Sequence, residues 1–213
     1  MPDSPTKAQN KAKASATNSP ETRQTGDSSG KRSELVQTAF RLFYQQGIHA
    51  TGINQILSES GIAKKTLYHH FPTKDDLLLA VIAYRDQIFS QWLLTQLQEC
   101  ASVEALCDAW FMALDDWFND RVDTLLGFRG CFFINSSGEY SEPDHPVLLA
   151  CRAHKNSLQH ALKKLLQGLM DEAAATVLST QWCLLKEGAI VAATVSGNKN
   201  AARDARQMAQ TRV

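Results

Sequence analysis

The feature that most constrains this chain is the division of residues 33–84 into short helical segments by Gly47, Gly61 and Pro72. Apolar residues recur at helical spacing before each of these breaks. Glycine permits the left-handed backbone that ends a helix, and the residue before a proline is pushed out of the helical region. Segments this short are unstable alone in water, so they must pack on one another as one unit.

The third of these segments, from Ala63 to His70, has two faces. Its apolar positions recur every fourth residue and are predicted to face the core: Ala63, Leu67 and Phe71. Its polar positions fall on the other side: Lys65, Tyr68 and His69. Lys64 and Lys65 lie at the N-terminal end of the segment, where the helix dipole attracts phosphate, and Thr66 is placed to touch a base edge or a phosphate. This arrangement predicts a helix-turn-helix unit whose last helix fits the major groove of DNA, which is about 12 Å wide.

A longer motif runs through the same region without a gap. It reads Ala39-x-x-Leu42-Phe43-x-x-x-Gly47, then Thr51, Ile56 and Gly61-Ile62-x-x-x-Thr66-Leu67-Tyr68-x-His70-Phe71-x-x-Lys74-x-x-Leu77. With this motif, Leu35 to Tyr84 resembles the TetR family of transcriptional regulators. The resemblance implies phosphate contacts from Thr51, Tyr68 and Lys74, and it places Lys65, Thr66 and His69 nearest the bases. It also implies a helical ligand-sensing half and a homodimer held by a four-helix bundle of the last two long helices.

The rest of the chain also reads as helical, so the predicted class is all-α. A long helix follows the N-cap Thr73 to about Gln98, and two further capped starts occur at Ser102 and at Asp144. The segment from Gly127 to Glu142 is left open between a short helix and a strand. The final helices are predicted at Pro146 to Leu169, Asp171 to Ser196 and Asn198 to Gln210. The predicted domains are a disordered tail (1–29), the helix-turn-helix unit with the start of the long fourth helix (30–86), and an effector-binding and dimerisation domain (87–213).

The second half carries all four tryptophans. The candidate effector pocket consists of Trp92, Trp110, Phe111, Cys131, Phe132 and Trp182, although aromatic residues at helical spacing are more often core than pocket wall. Small residues suited to close helix contact in a dimer are Ala173 to Ala175, Ala189, Ala192 and Ala193.

Charge and cysteine usage narrow the setting in which the chain acts. The formal net charge is zero, but residues 1–86 hold 11 Lys and Arg against 8 Asp and Glu, whereas residues 87–213 hold 11 against 14. The first half is therefore the more basic, and Lys31 and Arg32 continue a basic tail that can contact DNA phosphates.

The location of the protein is predicted from its cysteines and its apolar runs. The five cysteines include no C-x-x-C pair, and no apolar run approaches the roughly 20 residues of a membrane helix. These features predict a cytoplasmic protein outside the membrane.

Other chemistry is weakly indicated by the sequence. His154 and His160 lie six residues apart, on different helix faces, so no metal site and no cofactor are expected. No nucleophile motif or phosphate-binding loop appears, so an enzyme is not expected. Double-stranded DNA, a small-molecule effector and a second subunit are the expected partners. The alternative to regulation by a reversibly bound effector is a regulator that senses oxidants or electrophiles through a thiol such as Cys131, which lies near Arg129 in the sequence.

Overall fold

The computed structural model describes residues 24–211, with side chains from Ser28 onward, and all regular structure within that range is helical. The elements are α1 (Gln24–Gln46), α2 (Ile53–Ser60), α3 (Lys64–His70), α4 (Lys74–Thr95), α5 (Val103–Phe118), a 3-10 turn (Asp123–Leu125), α6 (Phe132–Ser137), α7 (Pro146–Gln167), α8 (Glu172–Val195) and α9 (Ala201–Gln210). This confirms the all-α class. Most of the predicted tail lies outside the described residues. Where the two overlap, from Gln24 to Ser29, the chain is already part of α1.

The first four helices form the predicted helix-turn-helix unit. α1 packs on α2, α3 and α4, and fully buried apolar side chains fill the space between them: Leu35, Ala39, Ile56, Leu67 and Leu77. Gly47 and Gly61 have φ angles of 93° and 66°, the left-handed conformation expected where α1 and α2 end. Only Gly61, Ile62 and Ala63 separate α2 from α3, so the two helices are held in a tight turn.

The start of α4 is fixed by the predicted cap. The Thr73 hydroxyl accepts from the Asp76 backbone N–H, and the Asp76 carboxylate accepts in return from the Thr73 N–H. The helix then runs unbroken through residue 86, where the domain boundary was predicted. The two halves of the chain therefore share one helix.

Several local predictions differ from the structure. Ala63, which the helical spacing predicts as a core residue, is instead the exposed N-cap of α3. α7 is capped by the ring of His145, which accepts from the Val147 N–H, one residue later than the predicted Asp144. The ambiguous segment contains a short helix, α6.

The second half is a helical layer built around large aromatic side chains. α9 packs against both α5 and α8, while α7 packs against α4, α6 and α8. Phe132 of α6 lies edge-on to two α1 rings, with centroids 5.4 Å from Phe40 and 6.1 Å from Tyr44. These contacts join the two halves through the short helix α6. Within the described residues, no helix is long and apolar enough to cross a membrane.

Candidate nucleic-acid interface and buried cationic cavity

The polar face of α3 is open to solvent. Leu67 and Phe71 are 0% and 2% exposed and anchor the helix to the core, whereas Tyr68 is 42% exposed. Lys64, Lys65 and His69 are also exposed, and Thr66 is half-buried beside them. The Lys64 ammonium lies 5.9 Å from the centre of the Tyr68 ring. α3 thus presents cations, a phenol and a hydroxyl on one short helix, which matches the predicted face.

A further cation reaches this surface from α1. The exposed Arg32 guanidinium lies 5.0 Å from the centre of the Phe71 ring, where α3 ends. The sequence places Arg32 only in a basic lead-in to the helical unit. The structure adds it to the basic surface of α3.

Two of the predicted phosphate contacts are engaged within the protein. Thr51 is fully buried, and its hydroxyl donates to the Gly47 carbonyl at 2.7 Å. In this conformation the Thr51 side chain is enclosed by the protein, and the phosphate contact that the resemblance implies for it stays a prediction. Lys74 is half-buried, and its ammonium donates to the Ile48 carbonyl. Burial lowers the pKa of Lys74, although Glu139 and Asp75 nearby favour its charged form.

The loop after α6 holds the helix-turn-helix unit through a contact that we call the Glu139 junction. The Glu139 carboxylate accepts from the backbone N–H groups of Ile48 and His49, at 2.8 and 2.7 Å, and lies 2.7 Å from the His49 ring nitrogen. Burial opposes ionisation of this group, but the hydrogen bonds outweigh it and hold the pKa of Glu139 below its ordinary value. The junction therefore depends on an ionised carboxylate.

Two tyrosines strengthen the same connection. The Tyr140 hydroxyl lies 3.0 Å from the Asp75 carboxylate at the start of α4. The buried Tyr44 hydroxyl of α1 donates to the Gly130 carbonyl at 2.8 Å and accepts from the Arg129 N–H. Polar contacts thus flank α6 on both sides and tie it to α1 and α4.

A small cavity of about 10 Å³, about the space for one water molecule, lies behind α6. Its walls are both aromatic and cationic: Arg85, Phe89, Trp117, Cys131, Phe132, Phe133, His154, Lys155, Lys186 and Ile190. Of the predicted pocket residues, only Cys131 and Phe132 line this cavity. Trp110, Phe111 and Trp182 are buried in the core between α5, α8 and α9, and Trp92 packs against Phe89 instead of lining the cavity.

Arg85 of α4 is the least expected member of the cavity wall. It is 1% exposed, and its guanidinium lies between 5.4 and 6.0 Å from the ring centres of Phe40, Tyr44, Phe89 and Trp117. One nitrogen donates to the Leu125 carbonyl at 3.2 Å, while Nε and Nη2 have no partner in the protein. Burial lowers the pKa of Arg85, but a guanidinium keeps its charge near neutral pH.

The other polar groups of the wall are held by carboxylates outside it. Glu187 bridges Lys155 and Lys186, with oxygens 2.7 and 2.8 Å from the two ammonium groups. His154 is buried, stacks on Phe133 and shares a hydrogen bond with Asp86. Burial lowers the pKa of His154, although Asp86 acts in the opposite direction.

The cavity cations could have been suspected from the sequence. Arg85 continues an apolar row formed by Leu78, Ile82 and Phe89. Lys186 interrupts a similar row on α8, between Trp182 and Ala189. A charge at a core position is the signal, and it carries more information than the aromatic residues around it.

The thiols are largely shielded from solvent. Burial raises the pKa of Cys107 and Cys151 to about 11, and it also raises that of Cys100 and Cys183. Cys131 is buried in the cavity wall, with its sulfur 3.4 Å from the Lys155 ammonium. Among the described residues, no three His, Cys, Asp or Glu side chains are grouped so that they would hold a metal ion.

The fold and the exposed face of α3 define a helix-turn-helix DNA-binding protein, and comparisons with known proteins refine that class. Residues 35–81 match the family model of bacterial regulatory proteins of the tetR family. The chain is 29% identical over 175 residues to the uncharacterized HTH-type transcriptional regulator YxaF of Bacillus subtilis (strain 168), which covers 82% of this chain and 88% of that protein. The HTH-type transcriptional regulator LmrA of the same strain is also 29% identical over 175 residues, covering 81% and 89% of the two chains.

The fold of the chain is similar to that of a solved structure over most of its length. The crystal structure of SCO4454, a TetR-family transcriptional regulator from Streptomyces coelicolor, matches with a TM-score of 0.75 and 28% sequence identity, covering 86% of this chain and 94% of that one. Over most of its length the chain is therefore similar to TetR-family transcriptional regulators, and residues 35–81 match the model of that family, in agreement with the resemblance found in the sequence.

Proposed function

We propose that this protein is a homodimeric repressor in the cytoplasm that binds a palindromic operator and is released from it by a small-molecule effector. The observation that carries the proposal is a connection between two surfaces. The exposed basic face of α3 and the buried cationic cavity are linked through one short helix, α6, and its flanking contacts.

On the DNA side, α3 enters the major groove with Lys65, Thr66 and His69 nearest the bases. Lys64 and Tyr68 contact phosphates, and Arg32 adds a cation at the end of the helix. Lys74 supports this surface chiefly by holding the loop before α2, because its ammonium is bonded to the Ile48 carbonyl.

The dimer is supported by an apolar row on α8. Val177, Leu184 and Val191 recur every seventh residue and are 58%, 68% and 50% exposed, so they lie on one side of the helix. The sequence predicts small residues such as Ala175, Ala189 and Ala193 at the dimer contact, but these three are buried within the subunit. The exposed apolar row is therefore the better candidate for the dimer contact. A two-fold dimer through α8 supplies two reading helices, one for each half-site.

Release follows from the position of α6. Phe132 and Phe133 line the cavity, and the Glu139 junction begins two residues after α6 ends. A ligand that displaces these rings moves the segment that holds Ile48 and His49, and with it the helix-turn-helix unit. The effector then favours a form whose two reading helices are wrongly spaced for the operator.

The proposal is tested by selecting bound sites from random double-stranded DNA with the full chain. We expect an inverted repeat whose half-sites lie about one or more helical turns apart. Recovery of no enriched sequence would contradict sequence-specific binding, and recovery of single half-sites would contradict the dimer.

The thiol-based alternative gains no support. Burial raises the pKa of four of the thiols, and the buried Cys131 serves as part of the cavity wall. The reversible binding of a ligand therefore remains the proposed signal.

A further inference from the structure

Arg85 presents a buried charge that the described part of the protein does not neutralise. Its Nε and Nη2 groups are enclosed and have no acceptor in the protein, and Trp117, which also lines the cavity, has an indole N–H without a partner. Buried polar groups are normally hydrogen-bonded, and buried charges are normally paired. Three unused donors on two side chains of one small cavity therefore call for an acceptor from outside the chain.

The charges around the cavity identify the sign of that acceptor. Arg85, Lys155 and Lys186 line it, and the described lining residues include no carboxylate. Glu187 alone bridges the two lysines, and Asp86 is bonded to His154. After these pairings are counted, the wall still carries an excess of positive charge, and Arg85 is the cation of the wall for which the described residues supply no carboxylate.

Arg85 requires a partner that both accepts its hydrogen bonds and carries a negative charge, and neither the aromatic rings nor a water molecule does both. Ring faces attract the Arg85 cation, but they do not accept hydrogen bonds in the plane of the guanidinium. One water molecule can accept from the N–H groups, but it carries no charge. A carboxylate does both, because its two oxygens match the guanidinium fork.

We propose that this cavity is the effector site and that it takes a small organic acid, with the carboxylate on Arg85 and an aromatic body among Phe89, Trp117, Phe132 and Phe133. This inference rests on the proposed function, since it names the chemistry of the effector that the function requires. The sequence-based pocket is replaced by this one.

The size of the cavity explains how such a ligand acts. About 10 Å³ holds a carboxylate oxygen but not an aromatic ring, so the ring enters only if the wall moves. Phe132 and Phe133 belong to the six-residue helix α6, whereas Arg85 and Phe89 belong to the 22-residue helix α4. The movable wall is therefore α6, and its displacement disturbs the Glu139 junction and reduces operator affinity.

The test uses the full chain with benzoate as the probe and benzamide as its neutral counterpart of equal shape. At constant chloride and pH 7, isothermal titration calorimetry should give a dissociation constant for benzoate that is lower than that for benzamide by roughly tenfold or more, as expected for charge-assisted hydrogen bonds. Arg85→Met should abolish this preference, and Arg85→Lys should keep only part of it, because lysine has the charge without the fork. The matched control is Arg152→Met, which removes an exposed arginine of α7 outside the cavity wall and should leave the preference unchanged.

Melting temperatures distinguish a ligand site from a purely structural arginine. If Arg85 serves to bind an anion, ligand-free Arg85→Met melts at the same temperature as the unmodified protein or higher, and benzoate no longer raises it. Equal binding of benzoate and benzamide, or an unchanged preference in Arg85→Met, would overturn the proposal. If the Met variant fails to fold, the Arg85→Lys variant and the benzoate–benzamide comparison still decide the question.

Failure of this inference is separable from failure of the proposed function. The operator found by selection is labelled, and its affinity is measured with and without benzoate. Enrichment of an operator without benzoate binding would overturn the anion site and leave the regulator intact. Benzoate binding that depends on Arg85 but leaves operator affinity unchanged would confirm the anion site and contradict its role in release.

Discussion

At the residue scale, the two lysines that begin α3 are adjacent in sequence but lie about 100° apart around the helix. Lys64 lies beside Tyr68, whereas Lys65 belongs to the face assigned to the bases. We expect Lys64→Ala to weaken binding to all DNA sequences alike and to lower the salt dependence by about one phosphate contact. Lys65→Ala should instead relax sequence preference. Binding titrations on operator and random DNA at several salt concentrations distinguish the two, and identical profiles would contradict the assigned faces.

Lys74 makes a different prediction, because its ammonium is bonded to the Ile48 carbonyl and lies 5.8 Å from the centre of the Phe43 ring. Lys74→Ala should lower the free energy of unfolding by about 1–3 kcal/mol, since it leaves a carbonyl without its charged donor. Urea denaturation measures this loss, and the exposed Lys65→Ala variant is the control that should show almost none. If Lys74→Ala keeps full stability but loses salt-dependent DNA affinity, the phosphate contact expected from the family resemblance is the better assignment.

These residues also mark what the sequence can and cannot reveal. The exposed positions of α3 follow from helical spacing alone, because Leu67 and Phe71 fix which side faces the core. The family resemblance implies phosphate contacts from Thr51 and Lys74, yet both side chains are bonded to backbone carbonyls of the loop between α1 and α2. Spacing does not reveal such bonds, because they depend on how the loop folds back.

At the element scale, the Glu139 junction makes stability depend on pH. The pKa of Glu139 is lower in the folded protein than its ordinary value of 4.5. The junction therefore stabilises the fold fully above that value, and its contribution is lost as the pH falls through the lower folded pKa. Glu139→Gln should cost about 1–3 kcal/mol at pH 7, and this difference should shrink below about pH 4.

Urea denaturation of both proteins across the pH range measures this effect. Glu142→Gln is the matched control, because Glu142 is exposed and, within residues 28–211, its carboxylate accepts a hydrogen bond only from the neighbouring Ser141 hydroxyl. A Glu139→Gln penalty that stays constant from pH 7 to pH 3.5 would show that the carboxylate charge is not what holds the junction.

The elements themselves were predictable to different degrees. Capped helices such as α4 and α5 begin at the expected residues, since Thr73 and Ser102 both accept from the backbone as predicted. α6 was ambiguous, because its six residues are too few to show a helical period and its conformation is set by packing on α7 and α1. The cavity was not predicted, because its wall forms only where residues of α4, α5, α6, α7 and α8 meet in the folded protein.

At the scale of the whole molecule, the apolar row on α8 determines how the reading helices are paired. Leu184 is the most exposed member of that row, with neighbours seven residues away on either side. Leu184→Glu places a charge at the centre of the proposed interface and, by the two-fold symmetry, opposes it to its own copy. Light scattering after size exclusion should then show a monomer.

Loss of the dimer should lower the affinity for the operator, although no residue that contacts the DNA is changed. A monomer binds one half-site, so operator affinity should fall roughly 100-fold or more, while each α3 keeps its sequence preference. Met112→Glu is the control, because Met112 is a 56% exposed apolar residue of α5 that is not part of the α8 row, and the change should leave both mass and affinity unchanged. If Leu184→Glu stays dimeric, the subunits pair through another surface. If it is monomeric yet binds the operator at full affinity, the proposal that two α3 helices bind two half-sites is wrong, because the second half-site then contributes nothing to the affinity.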